Sequence, residues 1–411
     1  MRILYLSQFF PPEVGATQAR ACEMARGLVK AGHQVTVLTE IPNHPKGIIP
    51  SAYRGKIYER TRLDQIDVIR VWVKTSPVKN PANRLAFYLS YMVHATLAGI
   101  LLARESYDLI YASSPPLFVG GAALALSQVR RIPMAFEVRD LWPESAVALG
   151  EIRNLRAIAL ATRLEEACYR RAQVTVVVTQ GILDRLAERK IPSRKLILIP
   201  NGANVELFQF QPVGRGRIRE TLGLGNKFVV IYAGIHGVAQ GLETLIEAAR
   251  HLQRNRGIHF LLVGEGPKKA ELTALSANYA LSNVTFLPEQ PGERMPDYLS
   301  AADVAHIPLR NLDLFKIALP SKMFDAWACK RPVLLGVEGE ARQVLEQARG
   351  GLFVTPEDAL SLANALLVLK ENPHLRDEMG EYGRAWVVKH YSRQAQATQL
   401  AALLERVVSD R

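Results

Sequence analysis

The stretch LPSKMFDAWACKRPVLLG, residues 319–336, decides how the chain folds. Its apolar spacing and its prolines predict a loop, a short helix and then a buried strand. Pro320 suits the first turn of a helix, where a missing N–H removes no intrahelical bond. The next N–H groups, on Ser321 and Lys322, stay free at an end that carries partial positive charge. Such an end binds anions, and Lys322 adds a full charge. Asp325 lies one turn further on, where a carboxylate can accept a pair of hydroxyls. Taken alone, the stretch fits a plain helix–strand unit with an exposed lysine equally well.

The same alternation runs along the whole chain. Short Val/Ile/Leu-rich runs predict strands at 2–6, 34–39, 67–73, 107–113, 134–139, 173–178 and 196–199. A second set falls at 228–233, 259–263, 283–287, 304–308, 332–337 and 351–354. Helical patterns lie between them, among them 17–31, 155–171, 240–254, 358–371 and 393–408. Near-continuous apolar strands separated by helices imply parallel sheets covered on both faces. Two such sets imply an α/β chain of two doubly wound, Rossmann-like domains. The expected division is 1–202, 203–388 and a C-terminal helix in 389–411, with PVGRGR, residues 212–217, as a polar connecting segment.

A length of 411 residues, 48% hydrophobic and 22% charged, suits two ordinary globular domains. Cys22, Cys168 and Cys329 are scattered and odd in number. That argues against a disulfide framework or a zinc cluster and fits a reducing cytoplasm. The first residues run straight into a strand pattern, without the layout of a signal peptide. The net charge of +12 is uneven: residues 1–200 hold 27 Lys+Arg and 16 Asp+Glu, and residues 201–411 hold 24 and 23. An anionic partner is therefore expected for the first half only. The basic residues are dispersed and no nucleic-acid-binding motif accompanies them, which leaves an anionic membrane surface or a phosphate-bearing substrate. Leu85 to Ala103 is apolar or small and just reaches the roughly 20 residues of a membrane span. Ser90, Tyr91, His94 and Thr96 make a buried or surface-docking helix the better expectation, with a monotopic membrane contact the lesser one.

Loops at strand ends carry the candidate chemistry. After the first strand, Gly15 and Ala16 precede a helix without the GxGxxG of a dinucleotide site. The fifth of the strands ends in EVRDLWPE, residues 137–144, where ligands bind in open α/β sheets. Asp140 there can orient a hydroxyl or take a proton, and Arg139 can pair with a phosphate or with Asp140. In the second half, Gly237 and Gly241 permit tight backbone and Gln240 can hydrogen-bond a phosphate. His236 fits a loop histidine better than a catalyst. Glu265 follows in another strand-end turn, and the segment around Leu287 offers backbone groups to a nucleobase edge.

In order, PPEVGA, RDLWPE, IPNGANVELF, YAGIHGVAQGLETLIEAA, LLVGEGP, FLPEQPGERMPDYLSAADV and PSKMFDAWACKRPVLL resemble the GT-B-type retaining glycosyltransferases of family 4. Within that family the chain is similar to bacterial surface-polysaccharide transferases of the N-acetyl-L-fucosamine transferase kind. The resemblance implies an acceptor-binding first domain, a nucleotide-sugar-binding second domain, a cleft between them, and a last helix that crosses back. It implies a diphosphate cradle at Ser321 and Lys322 and a ribose ligand in Asp325, the second acidic position of the E-x7-E motif. It places Asp140, with Arg139 before it, at the catalytic His-Asp pair. Gly15, Gly237, Gln240, Glu265 and Leu287 would serve the donor, and Trp142 and Glu144 the acceptor.

Three positions depart from the pattern. Ile317 stands at the first acidic position, and Ile235 and Gln240 replace a phosphate-binding Arg and Lys. Lys322 is then the principal cation and Lys316 the second. The expected activity is transfer of a sugar, an N-acetylamino sugar, from a UDP-linked donor to a polyprenyl-diphosphate-linked saccharide, in O-antigen or capsule biosynthesis. No cofactor or metal is expected, and the enzyme would be cytoplasmic and peripheral to the membrane. A nucleotide-sugar 2-epimerase or a non-catalytic binding subunit are the alternatives.

Overall fold

The computed structural model describes residues 1–44, 46–78 and 80–410. The chain divides into two compact units, Met1–Pro200 with Gln394–Arg411, and Asn201–Arg393.

The first unit is built on an eight-stranded sheet in the order β3-β4-β2-β1-β5-β6-β7-β8. Its strands are β1 (Arg2–Leu6), β2 (Gln34–Glu40), β3 (Tyr58–Leu63), β4 (Ile66–Val71), β5 (Leu109–Ser114), β6 (Met134–Val138), β7 (Val174–Val177) and β8 (Leu196–Leu198). All neighbours are parallel except β3 and β4, which pair antiparallel. The inner strands are buried along nearly their whole length, because helices cover both faces. One face packs on helix Ala16–Lys30 and on the final helix, Arg393–Ser409, whose Ala397, Leu400, Ala401, Leu403 and Leu404 join that core. Gly27 is needed there, since a Cβ on it would lie 2.2 Å from the Ala397 Cβ.

Strand β3 is absent from the expectations above, and its sequence explains why. In YERTRL the four residues between Tyr58 and Leu63 are all polar and the strand lies at a largely exposed edge, so no apolar run marks it.

The second unit holds six parallel strands in the order β11-β10-β9-β12-β13-β14. They are β9 (Phe228–Ala233), β10 (Ile258–Val263), β11 (Val284–Leu287), β12 (Val304–Pro308), β13 (Val333–Gly336) and β14 (Gly351–Phe353). Two apolar clusters fill its two faces. The segment 212–217, expected as a connector, is instead the start of helix Pro212–Thr221. Its arginines bind the end of helix Met295–Ala301: Arg215 Nη1 donates to the Ser300 carbonyl at 2.7 Å, and Arg219 Nη1 to that of Ala301 at 2.7 Å. Gly214 makes room for Asp297, whose Oδ1 would lie 1.9 Å from an added Cβ. Both units are doubly wound α/β sheets of the expected class. Each reverses its strand order at its first strand, β1 or β9, and the crevice for a ligand in such sheets lies at the carboxyl ends of those strands.

Candidate functional site

In the second unit the reversal falls between β9 and its neighbours β10 and β12. Three glycines let the loops after β9 and β10 pack backbone to backbone. Gly234, Gly264 and Gly266 have φ of 145°, 147° and 157°. A Cβ on Gly264 would lie 1.9 Å from the Gly234 carbonyl oxygen, and one on Gly266 would lie 2.4 Å from that of His236. The two loops are joined by His236 N–H to the Glu265 carbonyl (2.8 Å) and Lys268 N–H to the His236 carbonyl (2.9 Å).

Helix Ser321–Ala328 points its N-terminus at this place, with Pro320 as the capping residue. Its inward face, Met323, Phe324, Ala326, Trp327 and Ala328, is buried. Trp327 Nε1 donates to the Gly350 carbonyl at 2.7 Å, and Phe324 stacks on Tyr391 at 4.2 Å. The helix start is thus held by core packing.

Lys322 runs beneath the β9 loop. A Cβ on Gly234 would meet its Cε at 2.1 Å, so glycine there is what lets the ammonium through. Its Nζ lies 3.3 Å from Tyr232 Oη and 5.1 Å from the centre of the Tyr232 ring. Burial pushes the ammonium down to about 8, against a smaller pull from Asp325. Burial likewise pushes Asp325 up to about 6, although Arg393 and Lys322 favour its ionised form. Asp325 Oδ1 is buried without a hydrogen bond, 3.9 Å from Arg393 Nη2. A cation and a carboxylate therefore stand at one helix start, each short of full satisfaction, where a phosphate and a hydroxyl pair would complete them.

Ser321 is the first residue of this helix, half-buried. Gly237 precedes the turn Val238–Gln240, and a Cβ on it would lie 2.6 Å from Gln240 Oε1. Glu265 is engaged by Lys269, whose Nζ also donates to the carbonyls of Gly264 and Leu287, each at 2.9 Å. The Leu287 carbonyl accepts a second bond, from Gly264 N–H at 3.1 Å. Both its acceptor directions are taken, so this carbonyl has none left for a ligand. His236 is fully buried, lies near the rings of Tyr232 and Phe286, and is pushed down to about 4 by burial, which keeps it neutral. Lys316 is exposed and paired with Asp313 at 2.7 Å.

In the first unit the reversal lies between β2, β1 and β5. Arg139 follows β6 and reaches it: Nη2 donates to Thr17 Oγ1 at 2.7 Å and Nε to the Ser114 carbonyl at 3.3 Å. It turns to Thr17 rather than pairing with Asp140. Gly15, φ 155°, stands just before that helix, with Gln18 Oε1 2.5 Å from where a Cβ would be. Burial raises the Asp140 carboxyl, while the Ser145 hydroxyl, Arg139 and the Leu141 N–H act the other way. Trp142 meets Phe118 edge-on at 5.6 Å. Glu144 pairs with Arg185 on the surface.

Beneath Arg139 lies a network the motifs did not single out. Arg20 Nη2 and Nε bind Glu137 Oε1 at 2.7 and 3.0 Å, and Arg20 Nη1 donates to the Pro200 carbonyl at 2.9 Å. Ser113 donates its hydroxyl to Glu137 Oε2. Burial would raise the Glu137 carboxyl, but Arg20 and Arg139 outweigh it and hold it below its ordinary value. The available signal was a glutamate inside the apolar strand MAFEV and an arginine on the apolar face of its facing helix. In the second unit Tyr232, Lys269 and Arg393 were missed likewise, since each acts through a partner distant in sequence.

Two family descriptions match the chain: "Glycosyl transferase 4-like domain" over residues 15–202 and "Glycosyl transferases group 1" over residues 215–386. A putative colanic acid biosynthesis glycosyl transferase of Escherichia coli, WcaI, is 25% identical over 389 residues, covering 92% of this chain and 95% of its own. A GDP-mannose-dependent monoacylated α-(1-6)-phosphatidylinositol monomannoside mannosyltransferase of Corynebacterium glutamicum is 29% identical, with 98% of each chain covered. Among solved structures, Anabaena HepE in complex with UDP-glucose shares the fold at a TM-score of 0.74 and 19% identity, over 98% of this chain and 99% of that one. The sucrose-phosphate synthase of Thermosynechococcus elongatus does so at 0.75 and 21%, over the whole of both. Two doubly wound units, each carrying a matching glycosyl transferase domain, make this chain a member of the family 4 GT-B glycosyltransferases.

Proposed function

We propose that the chain transfers a sugar, with retention of anomeric configuration, from a UDP-linked N-acetylamino sugar to a polyprenyl-diphosphate-linked saccharide in surface-polysaccharide biosynthesis. The observation that carries the donor half is Lys322, threaded under Gly234 to the start of helix Ser321–Ala328, with Asp325 one turn on. The helix start and Lys322 would stabilise the leaving diphosphate, and no metal ion is invoked for that charge. Asp325 would accept the ribose hydroxyls, and Ser321, Gly237 and Gln240 would line the phosphates. Glu265 and Leu287 act through Lys269, which holds the loops they belong to.

In the proposed step the bond between the anomeric carbon and the diphosphate oxygen breaks, and the nucleoside diphosphate leaves with the electron pair. The acceptor oxygen bonds to the same face, and its proton passes to the departing phosphate oxygen. Asp140 and Arg139 would orient the reacting sugar and acceptor, with Trp142 and Glu144 beside them. The colanic acid relative supports the surface-polysaccharide assignment. The cytoplasmic face of a membrane is the place this chemistry implies, since the donor is a nucleotide.

One comparison favours a second donor. The Corynebacterium relative, similar over nearly its whole length, is named as GDP-mannose-dependent. The test is a thermal-shift and transfer screen of UDP-, GDP- and dTDP-sugars with a polyprenyl-diphosphate saccharide. A UDP-sugar that both raises Tm and is consumed only with acceptor supports the proposal. A shift and turnover with GDP-mannose alone replaces UDP by GDP. Donor conversion without acceptor rejects transfer in favour of epimerisation.

A further inference from the structure

Tyr232 lies in β9, fully buried in the apolar cluster on one face of the second sheet. A phenol in such a place needs partners for its hydroxyl. Tyr232 Oη lies 2.6 Å from the Ile235 carbonyl and 3.3 Å from Lys322 Nζ. The direction of both bonds follows from the groups themselves. An ammonium only donates and a carbonyl only accepts, so Lys322 Nζ–H donates to Tyr232 Oη, and Tyr232 O–H donates to Ile235. Burial keeps the phenol protonated, so the second donor is always present.

The lysine is held along its length. Its stem passes under Gly234, and its Nζ lies 5.1 Å from the centre of the Tyr232 ring, so the oxygen and the π face of one residue both meet the ammonium. Among the described residues Lys322 forms no ion pair; Asp325, on the same helix, stands 3.9 Å from Arg393 instead. Tyr232 takes one of the three N–H bonds of the ammonium, and two remain for the oxygens of an anion. The Ile235 carbonyl is tied to Tyr232 and the His236 N–H to the Glu265 carbonyl, so the loop after β9 and the ammonium are fixed to each other. The titratable groups that face the ammonium are Asp325 on its own helix, Tyr232 on β9 and His236, kept neutral by burial, in the loop. Arg393 acts on Asp325, and Glu265 and Lys269 act on His236.

We propose that Tyr232 is a positioning residue for the transfer reaction: its hydroxyl, braced on the Ile235 carbonyl, and its ring hold the Lys322 ammonium at the helix start, leaving two N–H bonds for the departing diphosphate. The part that concerns the diphosphate rests on the transfer reading given above; the hold on the ammonium does not. A residue that served packing alone could be phenylalanine without loss. The hydroxyl adds an acceptor that favours the ammonium over the free amine, so its removal lets the proton leave at lower pH.

Tyr232→Phe keeps the ring and its packing and removes only the oxygen. In the unliganded full-length chain, competitive acetylation of Lys322 by acetic anhydride, read by peptide mass spectrometry across pH, should show a midpoint near 8 in the wild type and a lower one in the variant. Titration calorimetry with UDP and with GDP near neutral pH should show affinity reduced by about threefold to tenfold, with its decline at high pH beginning earlier. Lys322→Met should weaken binding more. Tyr232→Phe added to it should weaken binding no further, because the hydroxyl acts through the ammonium. Additive losses in the double variant, or an acetylation midpoint in Tyr232→Phe equal to that of the wild type, overturn the proposal. Nucleotide binding left unchanged by Lys322→Met, or no binding of either nucleotide by the wild type, overturns the diphosphate assignment instead, and the acetylation midpoint still decides what Tyr232 does to the lysine.

Discussion

The reversal points of the two sheets make opposite use of buried charge. In the first unit Arg20 and Glu137 satisfy each other within a closed network that reaches Ser113 and the Pro200 carbonyl. In the second unit Lys322 and Asp325 share one helix turn with no such closure, and burial disfavours the charge on each. A paired, hydrogen-bonded charge holds geometry; a charge left short of partners holds free energy that a ligand can release. The first arrangement ties strand β6 to helix Ala16–Lys30, and the second leaves a cation and a carboxylate short of partners.

Breaking the closed network should have the largest effect. Arg20→Met leaves the Glu137 carboxylate buried without its guanidinium, at a cost of about 3–5 kcal/mol in urea unfolding. The pH dependence should also change. In the wild type the lowered Glu137 pKa contributes stability above the ordinary carboxylate range, lost as pH falls through it; in the variant that contribution disappears.

Lys322→Ala tests the open arrangement. Donor affinity should fall by about tenfold to a hundredfold, the worth of one charge-assisted contact to phosphate, with transfer falling too. The unliganded protein should unfold no earlier than wild type, because the lysine's burial opposes its charge. Wild-type donor affinity, read by titration calorimetry, should weaken as pH rises through about 8, where Lys322 loses its proton. Lys322→Ala should lack that inflection.

Asp325→Asn should separate stability from binding. The wild-type carboxyl is raised from 3.8 to about 6, so its stability contribution is complete below the lower value and declines as pH rises through the higher one. The asparagine variant should gain about 1–2 kcal/mol over wild type above pH 6, discounted for partial exposure, and match it in acid. Its donor affinity should nonetheless drop. The smallest effect is expected at Lys316→Ala, an exposed pair with Asp313, where stability should move within about 0.5 kcal/mol and donor affinity stay unchanged.

Local signals carried much of this architecture. Apolar runs of strand length mark thirteen of the fourteen strands among the described residues, and the proline–helix signal places the start of Ser321–Ala328. Strand β3 escaped because an exposed edge imposes little apolar pattern. The glycine- and arginine-rich 212–217 segment reads as a connector, yet it starts a helix whose Arg215 and Arg219 bind carbonyls more than eighty positions away. At the candidate site, Lys322 and Asp325 were legible from helix polarity, whereas the Lys269 clamp on Leu287 and the turn of Arg139 toward Thr17 were not.

What the sequence by itself determined is therefore the class of the chain: two doubly wound sheets, glycine loops at strand ends and a helix start suited to an anion. Periodicity, proline and glycine act within a few residues, so they can be read along the chain. Only the tertiary structure decided which charges are paired and which are left open. Partners such as Arg20 and Glu137, or Lys322 and Tyr232, are chosen by packing across the sheet, and burial then sets how strongly each charge seeks a ligand.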